Sequence, residues 1–336
     1  MGVELALVLL VAVVVLALIF DFVNGFHDAA NAIATVVATR ALSPRTAVLL
    51  GATLNFAGAL LGTEVAATIG KGLVDQEMVS MPIVIATLIG AIGWNLFTWY
   101  KGLPSSSSHA LIGSLLGAVY FGTMAGGDNV QWGNVVDKII TPMFLSPVVG
   151  FFAAFIVMFA LTWLVHRMPV ARINAIFGKL QIASAGVMAL SHGHNDAQKS
   201  MGIIALALVI YHPQDGFTVP LWVILSCAIA MALGTMMGGW RIIRTLGTKM
   251  LTLRPIHGFA AETTSAAVIM GASQFGIPLS TTQVITSTIM GVGATKRLSA
   301  VRWSVVGHIL WAWLLTLPVT FLISGVLAYG VMLLQR

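Results

Sequence analysis

The chain of 336 residues is 58% hydrophobic and 8% charged, and its mean hydropathy is +0.96. Because a soluble domain carries about 25% charged residues, this composition excludes a water-soluble fold and indicates a protein that folds in lipid. The net charge of +6 does not indicate nucleic-acid binding, since the basic residues fall in short gaps between apolar stretches.

Ten apolar stretches follow one another along the chain. A bilayer-spanning helix needs about 20 apolar residues, and the alternating pattern of a membrane β-barrel is absent from the sequence, so we predict an all-α membrane protein. The first stretch has Glu4 as its only charge and is interpreted as a retained helix rather than a signal peptide. The stretches are 3–20, 46–69, 81–100, 105–124, 141–165, 182–210, 218–238, 257–275, 279–294 and 303–332.

Basic residues concentrate in four of the gaps between these stretches. The positive-inside rule puts these gaps in the cytoplasm, which places both termini outside the cell. The most polar central segment, 166–181, is predicted as a short cytoplasmic linker between a first half, 1–165, and a second half, 182–336. The basic gaps are 40–45, 167–179, 241–254 and 296–302.

Two pairs of short motifs relate the two halves. The sequence GFHDAANA at 25–32 matches GHNDAQKS at 193–200, and the aspartates of the two motifs lie 168 residues apart. The sequence GLPSSSSH at 102–109 matches GIPLSTTQ at 276–283 in the same order and at nearly the same offset. By the loop charges, the helix with the first aspartate runs inward and that with the second runs outward. We therefore predict inverted repeats, which are typical of secondary transporters with a binding site near the membrane midplane.

An aspartate at the centre of a membrane span costs about 2.5–3.5 kcal/mol, so Asp28 and Asp196 are candidates for function. Asp28 and Asn31 are three residues apart and share a helix face, as do Asp196 and Lys199. Carboxylate and amide oxygens suit a small cation, and an isolated aspartate could instead carry a proton. The predicted cation-binding and coupling residues are Asp28, Asn31, Asn195, Asp196 and Glu262.

Other residues of these segments add smaller expectations. Gly25 and Gly193 beside the aspartates would permit a helix break that frees backbone carbonyls for a cation. The histidines of the apolar stretches show no zinc-like spacing, so we assign them hydrogen-bonding roles. They are His27, His109, His192, His194 and His308.

Two hydroxyl runs follow a proline at the start of an apolar stretch. Pro104 and Pro278 are each compatible with a first helical turn, whose free amides and positive dipole end form an anion site. Hydroxyl groups add donors, so two such sites from inverted halves match a tetrahedral oxyanion. The predicted substrate-binding residues are Ser105, Ser106, Ser107, Ser108, Ser280, Thr281, Thr282 and Lys199.

Four motifs resemble those of the PiT family of inorganic phosphate transporters, and the bacterial low-affinity permeases are the most similar. They are NGFHDAANA at 24–32, WNLFTWYKGLPSSSSH at 94–109, SHGHNDAQK at 191–199 and PLSTT at 278–282. The resemblance implies import of inorganic phosphate with Na⁺ or H⁺, a cell-membrane protein that is not an enzyme, and a homodimer without a cofactor. It also implies about 10–12 membrane helices, including re-entrant hairpins, in two inverted repeats.

By the match of motifs, Asp28, Asn31 and Asp196 would be Na⁺ ligands if the protein is sodium-coupled. The residues expected to meet phosphate are Ser106, Ser107, Ser108, Thr281 and Thr282. One departure is Gln283, which stands where a histidine commonly follows the second hydroxyl run.

The residues leave the anion and its transported form open and argue against two other functions. A sulfate permease of the same fold would use a similar hydroxyl pocket, and phosphate could travel free or as a metal complex. An ion channel would need rings of like residues, which are not evident. An intramembrane enzyme could use Ser106 with His109, but the second half has Thr281 or Thr282 with Gln283, which fits a pocket better than a catalytic base.

Overall fold

A computed structural model describes residues 3–123 and 126–334. Over these residues the regular structure is helical, apart from an isolated bridge between Val74 and Val130, and the predicted all-α class is confirmed. The helices are α1 (Val3–Ala38), α2 (Pro44–Ala59), α3 (Glu64–Lys71), α4 (Met81–Lys101), α5 (Ser107–Gly122), α6 (Trp132–Val135), α7 (Thr141–Val165), α8 (Val170–Tyr211), α9 (Leu221–Met237), α10 (Trp240–Arg244), α11 (Pro255–Gln274), α12 (Thr281–Lys296) and α13 (Trp303–Leu334).

Five helical segments in the described part of the chain are long and apolar enough to cross a membrane. They are Val3–Ala38, Met81–Lys101, Trp132–Val165, Val170–Tyr211 and Trp303–Leu334. Two bent pairs also qualify when each is taken as one span: α2 with α3 at 70°, and α9 with Trp240–Lys249 at 57°. Large apolar side chains face outward, as on Trp163 and Val326, which are each 71% exposed. Lipid is the solvent that such a surface requires.

Helices α1 and α8 are longer than the apolar stretches that predicted them. They contain 36 and 42 residues, and both run through the polar motif segments. Helix α8 begins at Val170, so most of the predicted linker 166–181 is helical.

The predicted helix breaks at Gly25 and Gly193 are wrong, because α1 and α8 are continuous there. The glycines instead allow close helix packing. A Cβ added at Gly25 would lie 2.3 Å from the carbonyl oxygen of Met231 on α9, and one at Gly193 would lie 2.1 Å from that of Asn55 on α2. Neighbouring backbones therefore occupy the space of any side chain at these two positions.

Replacement of Gly193 by alanine is expected to destabilise the protein by about 1–3 kcal/mol, the usual effect of overpacking. The new methyl group would force α8 away from α2. Gly178→Ala on the same helix is the matched control, since no atom of the described residues lies within 4 Å of its Cβ position. Thermal unfolding in detergent should show a lower midpoint for Gly193→Ala and an unchanged or higher midpoint for Gly178→Ala. Equal midpoints would contradict this interpretation of the glycine.

Two helical hairpins, α4–α5 and α11–α12, bring the start of their second helix into the interior of the protein. Gly102 and Gly276 lie in the left-handed region, with φ of 66° and 65°, and reverse the chain after the first helix of each pair. The second helices, α5 and α12, have 16 residues each, or about 24 Å, which is shorter than the roughly 30 Å hydrocarbon core. The residues that start α5 and α12 are buried, so both short helices begin inside the protein.

The halves of the chain pack across each other. Helix α5 of the first half lies against α13 of the second, and α12 of the second half lies against α7 of the first. Helix α1 packs on α9, and α2 packs on α8. This arrangement encloses the polar segments of α1 and α8 together with the starts of α5 and α12.

Candidate functional site

The site is built around the first turns of α5 and α12. Ser106 precedes α5, and its Oγ accepts a hydrogen bond from the backbone N–H of His109 at 3.1 Å. Ser280 precedes α12 and accepts in the same way from the N–H of Gln283 at 3.3 Å. Each helix therefore starts with a capped turn, and its positive dipole end lies beside the residues that follow the cap.

Asp28 on α1 accepts hydrogen bonds from hydroxyl groups of both hairpins. Its Oδ2 accepts from the Oγ of Ser107 at 2.5 Å, and its Oδ1 accepts from the Oγ1 of Thr282 at 3.3 Å. The Nδ1 of His27 lies 2.6 Å from the same Oδ1. Since Asp28 is 98% buried, protein groups rather than bulk water satisfy this carboxylate.

Asp196 on α8 is the second acid of the site. It forms a salt bridge with Lys199 through Oδ1. Its Oδ2 lies 3.0 Å from the Nε2 of His192 and accepts from the Oγ1 of Thr281 at 3.2 Å. Lys199 also donates to the Oγ of Ser108, so the ammonium group connects the second acid to the start of α5.

The two acids meet at the centre. Ligand atoms of Asp28, His192 and Asp196 all lie within 4.8 Å of one another, close enough to share a small cation. Asn31 adds an amide whose Nδ2 donates to two hydroxyls of α12, at 3.1 and 2.9 Å. Its Oδ1 has no hydrogen-bond partner in the described part of the chain and is available as an oxygen ligand. The centre therefore offers hard oxygen ligands next to two hydroxyl-bearing helix starts.

The structure brings together eight of the residues predicted for cation or substrate. They come from both halves and are fully or almost fully buried. They are Asp28, Asn31, Ser107, Ser108, Asp196, Lys199, Thr281 and Thr282.

Other predicted residues lie beside this centre rather than in it. Ser105 donates to Thr98 at 2.8 Å and lies 3.3 Å from the Nε2 of His27, so it supports the ring that contacts Asp28. Ser106 and Ser280 use their hydroxyl oxygens as helix caps. The amide of Asn195 donates to Ser273 at 2.7 Å and to the carbonyl of Ile277 at 3.4 Å, which holds the tip of the second hairpin.

Glu262 on α11 forms a separate buried cluster. Its carboxylate accepts hydrogen bonds from Thr35 and Ser184, and from the Nε2 of Gln181 at 3.4 Å. Thr35 lies seven residues after Asp28 on the same face of α1. The cluster is therefore connected to the central site through one helix.

His192 was predicted only to form hydrogen bonds, and its place in the central cluster was not predicted. His192 and Asp196 are four residues apart on α8, the spacing of neighbours on a helix face. That spacing could have identified the histidine, but its proximity to Asp28 depends on how α1 and α8 pack.

A polar cavity of about 480 Å³ lies against the tip of the second hairpin. Lys71 and Lys138 line it together with Glu64 and the tip segment 274–276. Thr68 donates to the carbonyl of Gly276 at 2.7 Å and holds the tip on this side. The two lysines give the cavity a basic wall that suits an anion.

Three comparisons with known proteins bear on this geometry. A protein family described as the phosphate transporter family matches this chain over residues 24–324. A probable low-affinity inorganic phosphate transporter of Mycobacterium bovis is 50% identical, and the match covers 97% of this chain and 78% of that protein. Proteins described in the same words from Rhizobium meliloti and Bacillus subtilis are 46% and 43% identical, with 97% and 98% of both chains covered. A solved structure described as the sodium-dependent phosphate transporter has a TM-score of 0.88 and 25% identity, and the match covers 97% of this chain and 99% of that one.

Proposed function

The chain belongs to the phosphate transporter family, and on this premise we propose that it imports inorganic phosphate by symport with Na⁺ or H⁺ through alternating access. The family consists of membrane transporters, so the predicted family, a multi-pass location in the cell membrane and a function other than catalysis are confirmed. The coupling cation and the transport cycle are our proposal. The observation that carries it is the convergence of two hydroxyl-bearing helix starts on a pair of buried acids.

Phosphate would bind at the facing starts of α5 and α12. Ser107 and Ser108 from one helix and Thr281 and Thr282 from the other present hydroxyl groups, and each first turn has free backbone amides. Both helix dipoles put their positive ends at this place, and Lys199 adds a full charge. A tetrahedral anion with several acceptor oxygens fits this set of donors.

The cation would bind beside the anion. Asp28, Asp196 and the free Oδ1 of Asn31 are oxygen ligands within one buried cluster. Glu262, connected through Thr35, would take part in the coupling path from α11. The solved relative is described as sodium-dependent, which supports a coupling ion, and we keep both Na⁺ and H⁺ in the proposal.

This arrangement supplies a physical cause for coupling. Lys199 compensates the charge of Asp196, so the two carboxylates together leave one negative charge uncompensated, which would repel phosphate in a medium of low dielectric. A cation bound between them reduces the local negative charge, so phosphate can enter beside it. Each ligand then raises the affinity for the other by the same factor, as thermodynamic linkage requires.

The two halves would act as inverted repeats that rock against each other. Several observations support this part of the proposal: the hairpin tips turn at glycines with nearly equal φ, α5 and α12 have equal length, and each packs on the last long helix of the other half. In transporters built this way, alternating access moves one repeat against the other around a central site.

The proposal is tested by uptake of labelled phosphate into proteoliposomes with sodium and pH gradients imposed separately. One of the gradients should drive accumulation, and excess unlabelled sulfate should compete poorly. Uptake that responds to neither gradient would refute symport. Strong inhibition by sulfate would favour a sulfate permease instead.

A homodimer and a metal–phosphate complex as the transported species stay predictions. Cross-linking in the membrane would test the homodimer, and uptake with and without divalent cations would test the metal–phosphate complex.

Ser107→Ala is expected to lower the efficiency of phosphate uptake about tenfold or more, because a hydrogen bond to a charged group contributes about 1.5–3 kcal/mol. Ser107 donates to Asp28 at 2.5 Å and lies at the start of α5. Ser114→Ala on the same helix is the control, since the Oγ of Ser114 is buried and has no hydrogen-bond partner within residues 3–123 and 126–334. Initial uptake rates over a range of phosphate concentrations should separate the two variants, and equal rates would remove Ser107 from the site.

A further inference from the structure

A polar stripe runs along one face of α1 through the apolar interior. Its members follow at intervals of three or four residues and are at least 98% buried. Asp28 and Asn31 belong to the central site and Thr35 belongs to the Glu262 cluster. Asp21 and Asn24 have no role in either. The stripe consists of Asp21, Asn24, Asp28, Asn31 and Thr35.

Asp21 is a fully buried acid without a cationic partner. The Oγ of Ser200 on α8 donates to its Oδ1 at 2.6 Å, and the thiol of Cys227 on α9 lies beside it. Its Oδ2 has no other hydrogen-bond partner, and within residues 3–123 and 126–334 no lysine, arginine or histidine nitrogen lies within 4.0 Å. Seven residues separate it from Asp28, a distance of about 10 Å along the helix.

Asn24 supplies a second, independent observation. It lies between the two acids on the same face of α1 and is fully buried. Neither its Oδ1 nor its Nδ2 has a hydrogen-bond partner among the residues that the structure describes. A buried amide is normally satisfied by protein or ordered water, so two free polar atoms beside an unpaired acid indicate that a ligand completes this place.

A purely structural role does not explain this pair. A hydrogen bond between α1 and α8 could be made by two hydroxyl residues without the cost of an acid in a membrane span. The position 168 residues after Asp21 is Ala189, so the second half has no matching acid. The feature is confined to the N-terminal side of the central site.

We propose that Asp21, Asn24 and Ser200 form a second cation-binding station, which the coupling cation occupies on its way between the N-terminal side of α1 and the central site. This inference rests on the proposed cation symport. Carboxylate, amide and hydroxyl oxygens are suitable ligands for a proton or a hydrated Na⁺. Because α1 and α8 are unbroken here, their backbone carbonyls are used in helix hydrogen bonds, and the three side chains are the oxygen ligands that these two helices offer.

The charges around the station favour a cation. On α8 the nearest charged groups are Asp196 and Lys199, which form a salt bridge with each other and together add no net charge. Cys227 is the titratable group from α9, and the ionisable side chains of α4 are Tyr100 and Lys101 at its far end. The negative charge of an ionised Asp21 therefore has no protein counter-charge, and a mobile cation can supply one.

The station is tested first by transport. Asp21→Asn is expected to raise the concentration of the driving cation needed for half-maximal phosphate uptake at least fivefold, with little change at saturating cation. Separate sodium and pH gradients identify the ion, and Asp21→Glu should keep a near-normal cation requirement. Asp75→Asn removes an exposed acid and is the control with unchanged uptake. An unchanged cation requirement in Asp21→Asn would overturn the station. Wild-type uptake driven by neither gradient would instead refute the proposed symport.

A second measurement needs no transport. Cys227 is the only cysteine of the chain and lies beside Asp21, so its rate of alkylation by a maleimide reports on the station. With folded protein in detergent at fixed pH, replacing choline by Na⁺ should change the rate severalfold in the wild type and leave it constant in Asp21→Asn. If the coupling cation is a proton, the ratio of the alkylation rate in the wild type to that in Asp21→Asn should change with pH. If the alkylation rate responds to Na⁺ and to pH equally in the wild type and in Asp21→Asn, the proposal is overturned.

Discussion

Asp28→Asn is expected to reduce phosphate uptake roughly a hundredfold or more. The substitution keeps the shape of the side chain but removes the charge that accepts hydrogen bonds from Ser107 and Thr282 at the starts of the two hairpins. A hydrogen bond to a charged group contributes about 1.5–3 kcal/mol, and each 1.36 kcal/mol is a factor of ten in rate. The change also removes one of the two acids that would hold the cation.

Initial rates of labelled phosphate uptake in proteoliposomes measure this effect. Asp75→Asn is the matched control, because it removes the same charge at an exposed position away from the site. Both variants should elute as folded protein in size-exclusion chromatography. An Asp28→Asn protein that accumulates phosphate at the wild-type rate would exclude Asp28 from the coupling site.

Lys199→Met is expected to destabilise the protein by about 3–5 kcal/mol and to abolish phosphate binding. Removing one partner of a buried salt bridge leaves the other charge without compensation, and Asp196 would keep only His192 and Thr281 as neighbours. The same change deletes the ammonium group that contacts Ser108 at the start of α5. Thermal unfolding in detergent and equilibrium binding of labelled phosphate measure the two effects.

Two further variants separate the salt bridge from a general effect on α8. Lys179→Met removes an exposed lysine from the same helix and should leave the unfolding midpoint unchanged. The double variant Lys199→Met with Asp196→Asn removes both charges and should recover much of the lost stability without recovering phosphate binding. A double variant less stable than Lys199→Met alone would contradict the assigned pairing.

The sequence predicted the membrane fold and the two acids because these features have strong local signals. Asp28 and Asp196 stand out from apolar surroundings, and their motifs repeat at half the chain length. The hydroxyl runs after Pro104 and Pro278 were likewise visible as helix starts. Each of these predictions needed only residue type and spacing.

Other features depend on neighbours that one sequence does not reveal. Gly25 and Gly193 serve close packing against α9 and α2, whereas a sequence alone permits either a break or a close approach. Which hydroxyls enter the site depends on where the helix begins. Because α5 starts at Ser107, that side chain turns toward Asp28, whereas Ser106 is used as the cap.

The position of His192 beside both acids also required the tertiary structure, since α1 and α8 are far apart in sequence. For the same reason, the roles of Asp21 and Asn24 could not be predicted from the sequence. Asp21 lies outside the repeated motifs, and its lack of a cationic partner becomes visible only when α8 and α9 are in place.

Equilibrium binding of labelled phosphate to the purified protein, as a function of Na⁺ concentration and of pH, tests most directly whether cation and phosphate share one site. We predict that one of the two cations raises the phosphate affinity at least tenfold, that phosphate raises the affinity for that cation by the same factor, and that Asp28→Asn abolishes both effects. A phosphate affinity that is independent of both cations in the wild type would contradict a shared site at Asp28 and Asp196.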